Sequence, residues 1–326
     1  MSVNSIQTDT AKKIRMGISS CLLGHKVRFD GQHKKDPYIV HTLGQFFDFI
    51  PVCPEVECGL KVPREAMHLE GDPQNPRLVT VRTHIDLTKR METYARARVE
   101  ELAAMDLSGF IFKSDSPSSG MERVKVYSQP GSSPSRNGVG IFARIFMERF
   151  PLLPVEEEGR LHDPKLREMF IESVFTLRRW RELCRQKPDV ADLMKFHAQH
   201  KYLLMAHSPR FLTEAGRIVA GATKKHLEFA ISTYEKTLVA ALRVKTTTAK
   251  NVNVLMHMIG YFKKTLDAGD RAELLECIER YQHGFVPLIV PVTLIAHHVR
   301  RLDTPYLKDQ VYLQPHPMEL ALRNHV

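Results

Sequence analysis

The sequence predicts an α/β domain with a mainly parallel sheet and flanking helices, followed by an all-α helical domain. Before about residue 160, short β-branched or aromatic runs alternate with amphipathic stretches, and strands separated by helices imply a parallel sheet. Beyond that point, helical periodicity dominates to about residue 301. The length of 326 residues fits two domains of ordinary size.

The elements of the first domain follow from local pattern. A polar stretch without an apolar segment predicts a disordered lead over residues 1–14 rather than a signal peptide. Strands are predicted over residues 14–19, 46–52, 78–83 and 109–113. Helices are predicted over residues 37–47, 88–105 and 139–150. The α/β domain is therefore expected to span residues 15–155.

The second domain is predicted to be all-α over residues 160–326, after a boundary near residues 151–160 that is rich in proline and glutamate. Asp163 followed by Pro164 is typical of a helix start, because an N-cap acceptor precedes a proline at the first helical position. Several breaks divide the pattern into roughly seven helices. They lie at Pro188, Pro209, residues 246–249, residues 269–270 and Pro287.

Composition excludes several classes of protein. Hydrophobic residues make up 43% and charged residues 26% of the chain, unlike collagen-like, coiled-coil or disordered sequences. The longest apolar run, residues 285–296, contains two prolines and is shorter than the roughly 18 residues of a membrane span. We therefore expect a cytoplasmic protein without membrane association. Five cysteines without paired spacing favour reduced thiols or metal ligands over a disulfide framework.

Charge is divided unevenly along the chain. Residues 1–158 hold 21 Lys and Arg against 20 Asp and Glu, whereas residues 159–326 hold 26 against 17 and 11 of the 16 His. This asymmetry is expected when one domain performs chemistry and the other holds a polyanion such as RNA. The alternative is a surplus of solvated cations on helix faces.

Three segments share one layout, in which an apolar strand runs into a loop rich in Cys, Ser, Pro and Gly. These loops contain Cys21, Cys53 and the run from Ser116 to Gly120. Because the carboxyl ends of parallel strands converge on one crevice, we expect the two cysteines to meet there. The alternative is that each cysteine is a small buried hydrophobe.

Two thiolates in one crevice suggest a soft metal. A structural zinc site needs four ligands, and close Cys-x-x-Cys pairs are absent from the sequence. An iron–sulfur cluster with three protein ligands leaves one iron open as a Lewis acid. Cys58 lies five residues after Cys53, so a zinc-dependent hydrolase or deaminase that uses Cys21, Cys53 and Cys58 is an alternative. Cys184 and Cys277 fall on helical patterns and are expected to be core residues.

These motifs resemble the thiouracil desulfurase (TudS-like) family. The resemblance is carried by Ser20-Cys21-Leu-Leu-Gly24, Val27-Arg28-Phe29-Asp30-Gly31, Cys53-Pro-Glu55-Val56, Pro63-Arg64, Lys113 and Ser116-Pro-Ser-Ser-Gly120. The second half, with Phe196-His-Ala-Gln-His200, His257-Met-Ile-Gly260 and Tyr312-Leu-Gln-Pro315, is similar to the YbgA-type helical domain. The fusion resembles bacterial tRNA 4-thiouridine desulfidases (RudS-type).

The resemblance implies a four-iron four-sulfur cluster held by Cys21, Cys53 and the residue at position 119. Here Ser119 stands where the family has cysteine, and a hydroxyl that stays protonated near neutral pH is a poor iron ligand. The resemblance implies that Glu55 is the general base. It also implies that Ser116 assists proton transfer or orients that base. Lys113 is expected to neutralise developing negative charge.

The implied reaction is non-redox desulfidation of 4-thiouridine in tRNA to uridine, with release of hydrosulfide. Two alternatives are a tRNA-binding module whose cluster site has lapsed, indicated by Ser119, and a desulfidase of free thiouracil. Arg28, Asp30 and Arg64 are expected to form loop salt bridges rather than substrate contacts.

The helical domain is expected to hold the tRNA, because basic clusters beside aromatic or imidazole rings can neutralise phosphates and stack on bases. The residues predicted to bind RNA are Lys201, Lys224, Lys225, Arg300 and Arg301. The nearby His197, His200 and His207 are expected to be polar packing or an RNA-facing stripe. The sequence indicates no oligomeric state.

Overall fold

A computed structural model describes residues 13–129, 131–317, 320 and 322–324 of the chain. The chain divides into two compact units between Leu161 and His162. The disordered lead predicted over residues 1–14 lies outside the described residues except for its last two positions, and Ile14 already belongs to a strand.

The first unit contains two four-stranded sheets among its described residues. Its strands are β1 (Ile14–Ser19), β2 (Phe47–Val52), β3 (Met67–Glu70), β4 (Arg77–Thr80), β5 (Phe110–Phe112), β6 (Val124–Tyr127), β7 (Ser135–Gly138) and β8 (Val155–Glu157). The first sheet has the order β2-β1-β5-β8 and is parallel throughout. The second has the order β4-β3-β6-β7, with antiparallel pairs on both sides of one parallel pair. The α/β prediction with a mainly parallel sheet is thus confirmed.

Three α-helices belong to the described part of this unit, and the last of them packs against the parallel sheet. They are α1 (Pro54–Glu57), α2 (Thr88–Ala103) and α3 (Ile141–Arg149). Phe110 and Phe112 of β5 stack at 4.3 Å and pack against Phe142 and Phe146 of α3. Gly17 of β1 is required there, because a Cβ atom at this position would lie 2.2 Å from the Phe110 ring.

Several predicted boundaries in this unit are wrong. Residues 37–47 form a single π turn, Tyr38–Thr42, and a 3-10 turn, Leu43–Gln45, instead of one amphipathic helix. The strand predicted over residues 78–83 is β4, which ends at Thr80 and gives way to a turn. The domain end predicted at residue 155 falls inside β8, whose pairing with β5 completes the parallel sheet.

The second unit is helical throughout its described residues, as predicted. Its helices are α4 (Pro164–Arg185), α5 (Val190–His207), α6 (Pro209–Ala220), α7 (Leu227–Leu242), α8 (Thr248–Ile259), α9 (Ala268–Gln282), α10 (Ile289–Arg301) and the single turn α11 (Pro305–Lys308). The predicted start of α4 is confirmed, because the Asp163 carboxylate accepts hydrogen bonds from the backbone amides of Lys165 and Leu166. No helix in the described part of the chain is long and apolar enough to cross a membrane.

A buried ionic network ties the last described residues of this unit to its first helix. The Arg323 guanidinium donates to Glu168 at 3.1 Å and to Glu172 at 3.0 Å. Glu172 also pairs at 2.9 Å with His207, whose other ring nitrogen faces the Val244 carbonyl oxygen. Burial alone would raise the pKa of Glu172, but the hydrogen bond from His207 and the charge of Arg323 outweigh it and lower that pKa.

His200 occupies a different buried position. Its ring stacks on Phe196 with centroids 3.8 Å apart, and its Nδ1 lies 2.8 Å from the Phe196 carbonyl oxygen. Phe196 in turn packs against Trp180, which stacks on Tyr234. His200 and His207 are therefore polar packing residues rather than an RNA-facing stripe.

Candidate active site

One cavity of about 350 Å³ opens where β1, β2 and β5 end. The three strands are parallel neighbours, so the loops that follow them emerge at one edge of the sheet. The sequence-predicted residues that line this cavity are Cys21, Arg28, Cys53, Glu55, Arg64, Lys113, Ser116 and Ser119. The prediction that the two cysteines meet at one crevice agrees with this geometry.

Both cysteines sit immediately beyond strand ends. Cys21 lies in a 3-10 turn directly after β1, and Cys53 caps the single-turn helix α1 directly after β2. Each retains 8% of its surface exposed. Burial, together with the negative charge of Glu55, raises the pKa of Cys21 to about 11 and that of Cys53 to about 12. These thiols are therefore neutral at physiological pH unless a metal ion displaces their protons.

The carboxylate of Glu55 is held by groups on three sides. Its Oε1 accepts a hydrogen bond from the Ser118 hydroxyl at 2.5 Å, and its Oε2 lies 3.5 Å from Cys53 Sγ. Arg64, whose guanidinium also donates to the Val27 carbonyl, lies 3.9 Å from the same Oε2. The carboxylate is thus fixed inside the cavity beside a candidate metal ligand.

The serine loop after β5 forms a chain of hydroxyl groups that leads to this carboxylate. Ser116 Oγ lies 3.0 Å from Ser118 Oγ, and Ser119 Oγ lies 3.3 Å from the same atom. Ser116 also accepts the backbone N–H of Ser119 at 3.1 Å. Ser116 therefore reaches Glu55 only through Ser118, the direct partner of Glu55 and a residue that sequence reasoning missed.

Helix α3 fixes the position of this loop. The backbone N–H groups of Ile141 and Ala143, which begin the helix and have no intrahelical partner, donate to the carbonyl oxygens of Pro117 and Ser118. Gly140 precedes them, and a Cβ atom there would lie 2.5 Å from the Ser118 carbonyl group. The close approach of helix and loop therefore requires glycine at this position.

The basic residues around the cavity differ in their partners. Lys113 Nζ pairs with Glu158 at 2.5 Å and also donates to the Ser114 carbonyl and hydroxyl, so its charge is already compensated. Arg28 pairs with Asp30 at 3.1 Å, as expected. Arg64 also forms a salt bridge, as expected, and its acidic partner is Glu55 itself.

The remaining cysteines do not complete a metal site. Cys58 donates to the Glu55 carbonyl oxygen at 3.2 Å and does not line the cavity. Over the described ranges of the chain, no three His, Cys, Asp or Glu side chains are grouped as metal ligands. The zinc alternative with Cys21, Cys53 and Cys58 therefore lacks its ligand set. Cys184 and Cys277 are half-buried in the helical unit.

Comparison with known families separates the two units. Residues 16–158 match the model of the 2-thiouracil desulfurase family. The N-terminal unit is a 2-thiouracil desulfurase domain. Residues 201–317 match a family described only as a protein of unknown function, DUF1722. The predicted fusion of a thiouracil desulfurase domain with a YbgA-type domain is thus confirmed, as is the prediction of an enzyme that cleaves carbon–sulfur bonds.

Two individual proteins resemble the two parts of this chain. The uncharacterized protein YbgA of Escherichia coli (strain K12) is 29% identical over 133 residues, which are 40% of this chain and 79% of YbgA. A solved structure of TudS, described as a [4Fe-4S]-dependent thiouracil desulfidase, is 26% identical and covers 46% of this chain and 95% of that protein. The TM-score of the second comparison is 0.38.

The residues predicted to bind RNA are distributed over the DUF1722-containing unit. Lys224 and Lys225 are exposed and line a groove that also contains Phe229, whose side chain is 75% exposed. Arg300 is exposed, but Arg301 forms an ion pair with Asp270. The Lys201 ammonium lies 5.8 Å from the centroid of the Tyr202 ring. The five residues lie on three different elements, and of these Lys224 and Lys225 share one groove.

Proposed function

We propose that this protein converts 4-thiouridine in tRNA to uridine, using a four-iron four-sulfur cluster at Cys21 and Cys53 and Glu55 as general base. The observation that carries the proposal is the placement of two buried thiols and one carboxylate in a single cavity of a desulfurase-family domain. Neither thiol nor carboxylate alone would suggest this chemistry.

The donor set fits a cluster with an open iron. Cys21 and Cys53 supply two thiols at adjacent strand ends, and Ser119 places a hydroxyl on the same cavity at the third position. When bound, such a cluster supplies a Lewis acid for the sulfur of a thiocarbonyl group. Because a hydroxyl ionises much less readily than a thiol, Ser119 would be the weakest of the three ligands to such a cluster.

The chain's own residues perform the proton transfers. Glu55 lines the cavity and accepts a proton on Oε2 from the water that attacks C4, while Ser118 holds Oε1. The water oxygen forms the new carbon–oxygen bond, and its second proton passes to the sulfur as the carbon–sulfur bond breaks. The sulfur leaves as hydrosulfide, and Glu55 then releases its proton to solvent. Carbon keeps its oxidation state, so the reaction needs no electron acceptor.

Substitution of Ser119 by cysteine tests the ligand assignment. After anaerobic reconstitution with iron and sulfide, Ser119→Cys is expected to raise iron content, visible absorbance and turnover of a 4-thiouridine substrate, because a third thiolate replaces a hydroxyl. Ser118→Cys is the matched control for iron content, since Ser118 donates to Glu55 and does not line the cavity. Equal iron content and turnover in the original chain and Ser119→Cys would contradict the assignment.

Ser119 also favours a second candidate, a tRNA-binding protein whose cluster site has lapsed. This candidate predicts that the unmodified chain takes up no iron under the same conditions and shows no turnover. Both candidates predict tRNA binding. Iron uptake and turnover in the reconstitution experiment therefore distinguish the binding protein from the enzyme.

The tRNA part of the proposal rests on the helical unit. The exposed Lys224 and Lys225 lie in the same groove as the exposed ring of Phe229, a combination suited to phosphates and an unstacked base. We expect the double substitution Lys224→Glu and Lys225→Glu to weaken tRNA binding by the full chain. The slope of log affinity against log salt should fall by the amount expected for about two lost phosphate contacts. Turnover of free 4-thiouracil should not change.

The control for this experiment is charge reversal at Lys264, outside the groove. A chain that desulfurises free thiouracil but binds no tRNA at about 0.1 M salt, where phosphate contacts still hold, would instead be a desulfidase of the free base.

A further inference from the structure

A second cavity of about 370 Å³ adjoins the reaction cavity on the mixed sheet. Three residues line both cavities, namely Met67, Asp115 and Pro117. Its volume lies in the range of small-ligand sites. A thiolated base in the reaction cavity would therefore lie beside a space of similar size. A free base would leave that space unfilled.

The strand register explains the character of this second cavity. In β3 and β6, Leu69 and Val126 pair with each other and point to the buried face. The alternating residues therefore point to the opposite face, which places His68 of β3 beside Lys125 and Tyr127 of β6. The His68 and Tyr127 rings lie 4.8 Å apart and line the cavity together. A pair of rings on a sheet face is a surface on which a nucleobase can stack.

Basic side chains surround this ring pair. Lys125 is exposed and lines the cavity, as does His84. Arg136 pairs with Lys125 in the register of β6 and β7 and keeps 51% of its side chain exposed. This arrangement suits a phosphate group.

Two carboxylates lie near the same face, and both have basic partners. Glu70 is paired with His68 at 2.7 Å and with Arg77 at 3.4 Å, and Asp115 is paired with Arg136 at 3.3 Å. Lys125 has no such acidic partner among the ion pairs of the described residues. It therefore gives the cavity a cation that can meet an incoming phosphate.

We infer that the second cavity holds the nucleotide next to the thiolated one, with its base on the His68–Tyr127 ring pair and its phosphate at Lys125. This inference rests on the proposed function, because it needs an RNA strand as substrate. It assigns the mixed sheet a role in substrate choice. The parallel sheet positions the reacting base, and the mixed sheet selects for a base that is part of an RNA strand.

The test compares two substrates, the nucleoside 4-thiouridine and a trinucleotide with 4-thiouridine at its centre. Tyr127→Ala is expected to raise KM for the trinucleotide by roughly 5- to 150-fold, the range for loss of one base–aromatic stack. The kcat for the trinucleotide and all constants for the nucleoside should stay unchanged. Tyr127→Phe keeps the ring and should behave as the unmodified chain.

Lys125→Ala provides a second, independent variant on an exposed position. It is expected to lower the slope of log affinity against log salt by about 0.7 for the trinucleotide, the value for one phosphate on a single strand. Arg96→Ala, an exposed cation on α2 outside both cavities, should leave that slope unchanged.

The outcomes separate this inference from the proposed function. If Tyr127→Ala changes neither substrate, or changes both equally, the inference is overturned while desulfidation stands. If the chain turns over neither substrate, the proposed function fails. In that case, fluorescence anisotropy of trinucleotide binding tests the second cavity. Equal affinities for the original chain, Tyr127→Ala and Lys125→Ala would overturn the inference.

Discussion

The two units of this protein use buried polar side chains in opposite ways. In the desulfurase domain, Cys21, Cys53 and Ser119 are buried at the edge of a sheet but still line a cavity, so their donor atoms can reach a bound group. In the helical unit, Glu172 and Arg323 are buried in the core and satisfy each other. Buried polar groups therefore remain open to a cavity in one unit and are paired with each other inside the core in the other.

This contrast makes separate predictions for each unit. Substitutions at the cavity should alter cofactor content or turnover and leave folding intact. Substitutions in the ionic network should alter folding and leave the cavity chemistry intact. A variant that does both would break the comparison.

The largest effect is expected at the two cysteines. Cys21→Ala or Cys53→Ala should abolish both iron binding and turnover, since only one thiol would remain on the cavity. Iron content after anaerobic reconstitution and the visible spectrum measure this directly. Cys277→Ala, in the helical unit, is the control and should retain full iron content. Full iron content in Cys53→Ala would show that the cluster site lies elsewhere.

The next largest effect is expected at Glu55, the proposed general base. Glu55→Gln keeps an oxygen to accept from Ser118 but cannot accept a proton from water, so turnover should fall by roughly 10²–10⁴-fold. The visible spectrum should persist, because Glu55 is not assigned as a ligand. If the spectrum disappears in this variant, Glu55 is instead needed to build the site.

In the helical unit, the largest effect is expected for Arg323→Met. It leaves two carboxylates without their shared cation inside the core, which should lower the free energy of unfolding by about 3–5 kcal/mol. The control is Arg280→Met, whose ion pair with Glu276 is exposed and should contribute less than about 1 kcal/mol. Urea titration can follow both variants through Trp180, the one tryptophan of the chain, which is buried in this unit. Equal losses would contradict the distinction between buried and exposed pairs.

The smallest effect concerns pH. Burial lowers the pKa of His200 to about 3, although the bond to the Phe196 carbonyl opposes this shift. An unfolded chain binds this proton near pH 6.5, so the stability that His200 contributes as a neutral ring is present above pH 6.5. It is lost as pH falls toward 3, at about 1.4 kcal/mol per pH unit. His200→Gln should remove this part of the pH dependence between pH 6.5 and 4.5 in the same Trp180 assay.

The sequence predicted the fold correctly where the hydrophobic pattern of a segment matches the burial of that segment in the structure. The helical unit begins at its predicted N-cap, and β1 and β5 contain apolar residues that are buried in the parallel sheet. Strands β3, β6, β7 and β8 were missed. The sequence of β7 is Ser-Arg-Asn-Gly, which has no strand preference, and its pairing with β6 forms it.

The candidate site was predictable to the level of which loops meet, but not to the level of individual hydrogen bonds. Strand ends indicate that Cys21, Cys53 and the serine loop share one edge. Which serine contacts Glu55 depends on the backbone path that α3 imposes on the loop, and no short pattern in Ser116-Pro-Ser-Ser-Gly120 encodes that path.

The tie between Arg323 and α4 has a consequence for synthesis of the chain. Arg323 joins Glu172 across 151 residues and Glu168 across 155, so α4 leaves the ribosome long before its cation. At about 5–20 residues per second, this delay is roughly 10–30 s. The parallel sheet of the desulfurase domain is complete at β8, so this domain can fold during that interval. Glu168 and Glu172 of the helical unit have no Arg323 to pair with until the end of synthesis. Translation order thus favours assembly of the catalytic unit first, and a stalled or shortened chain would carry a finished desulfurase domain on an unfinished helical one.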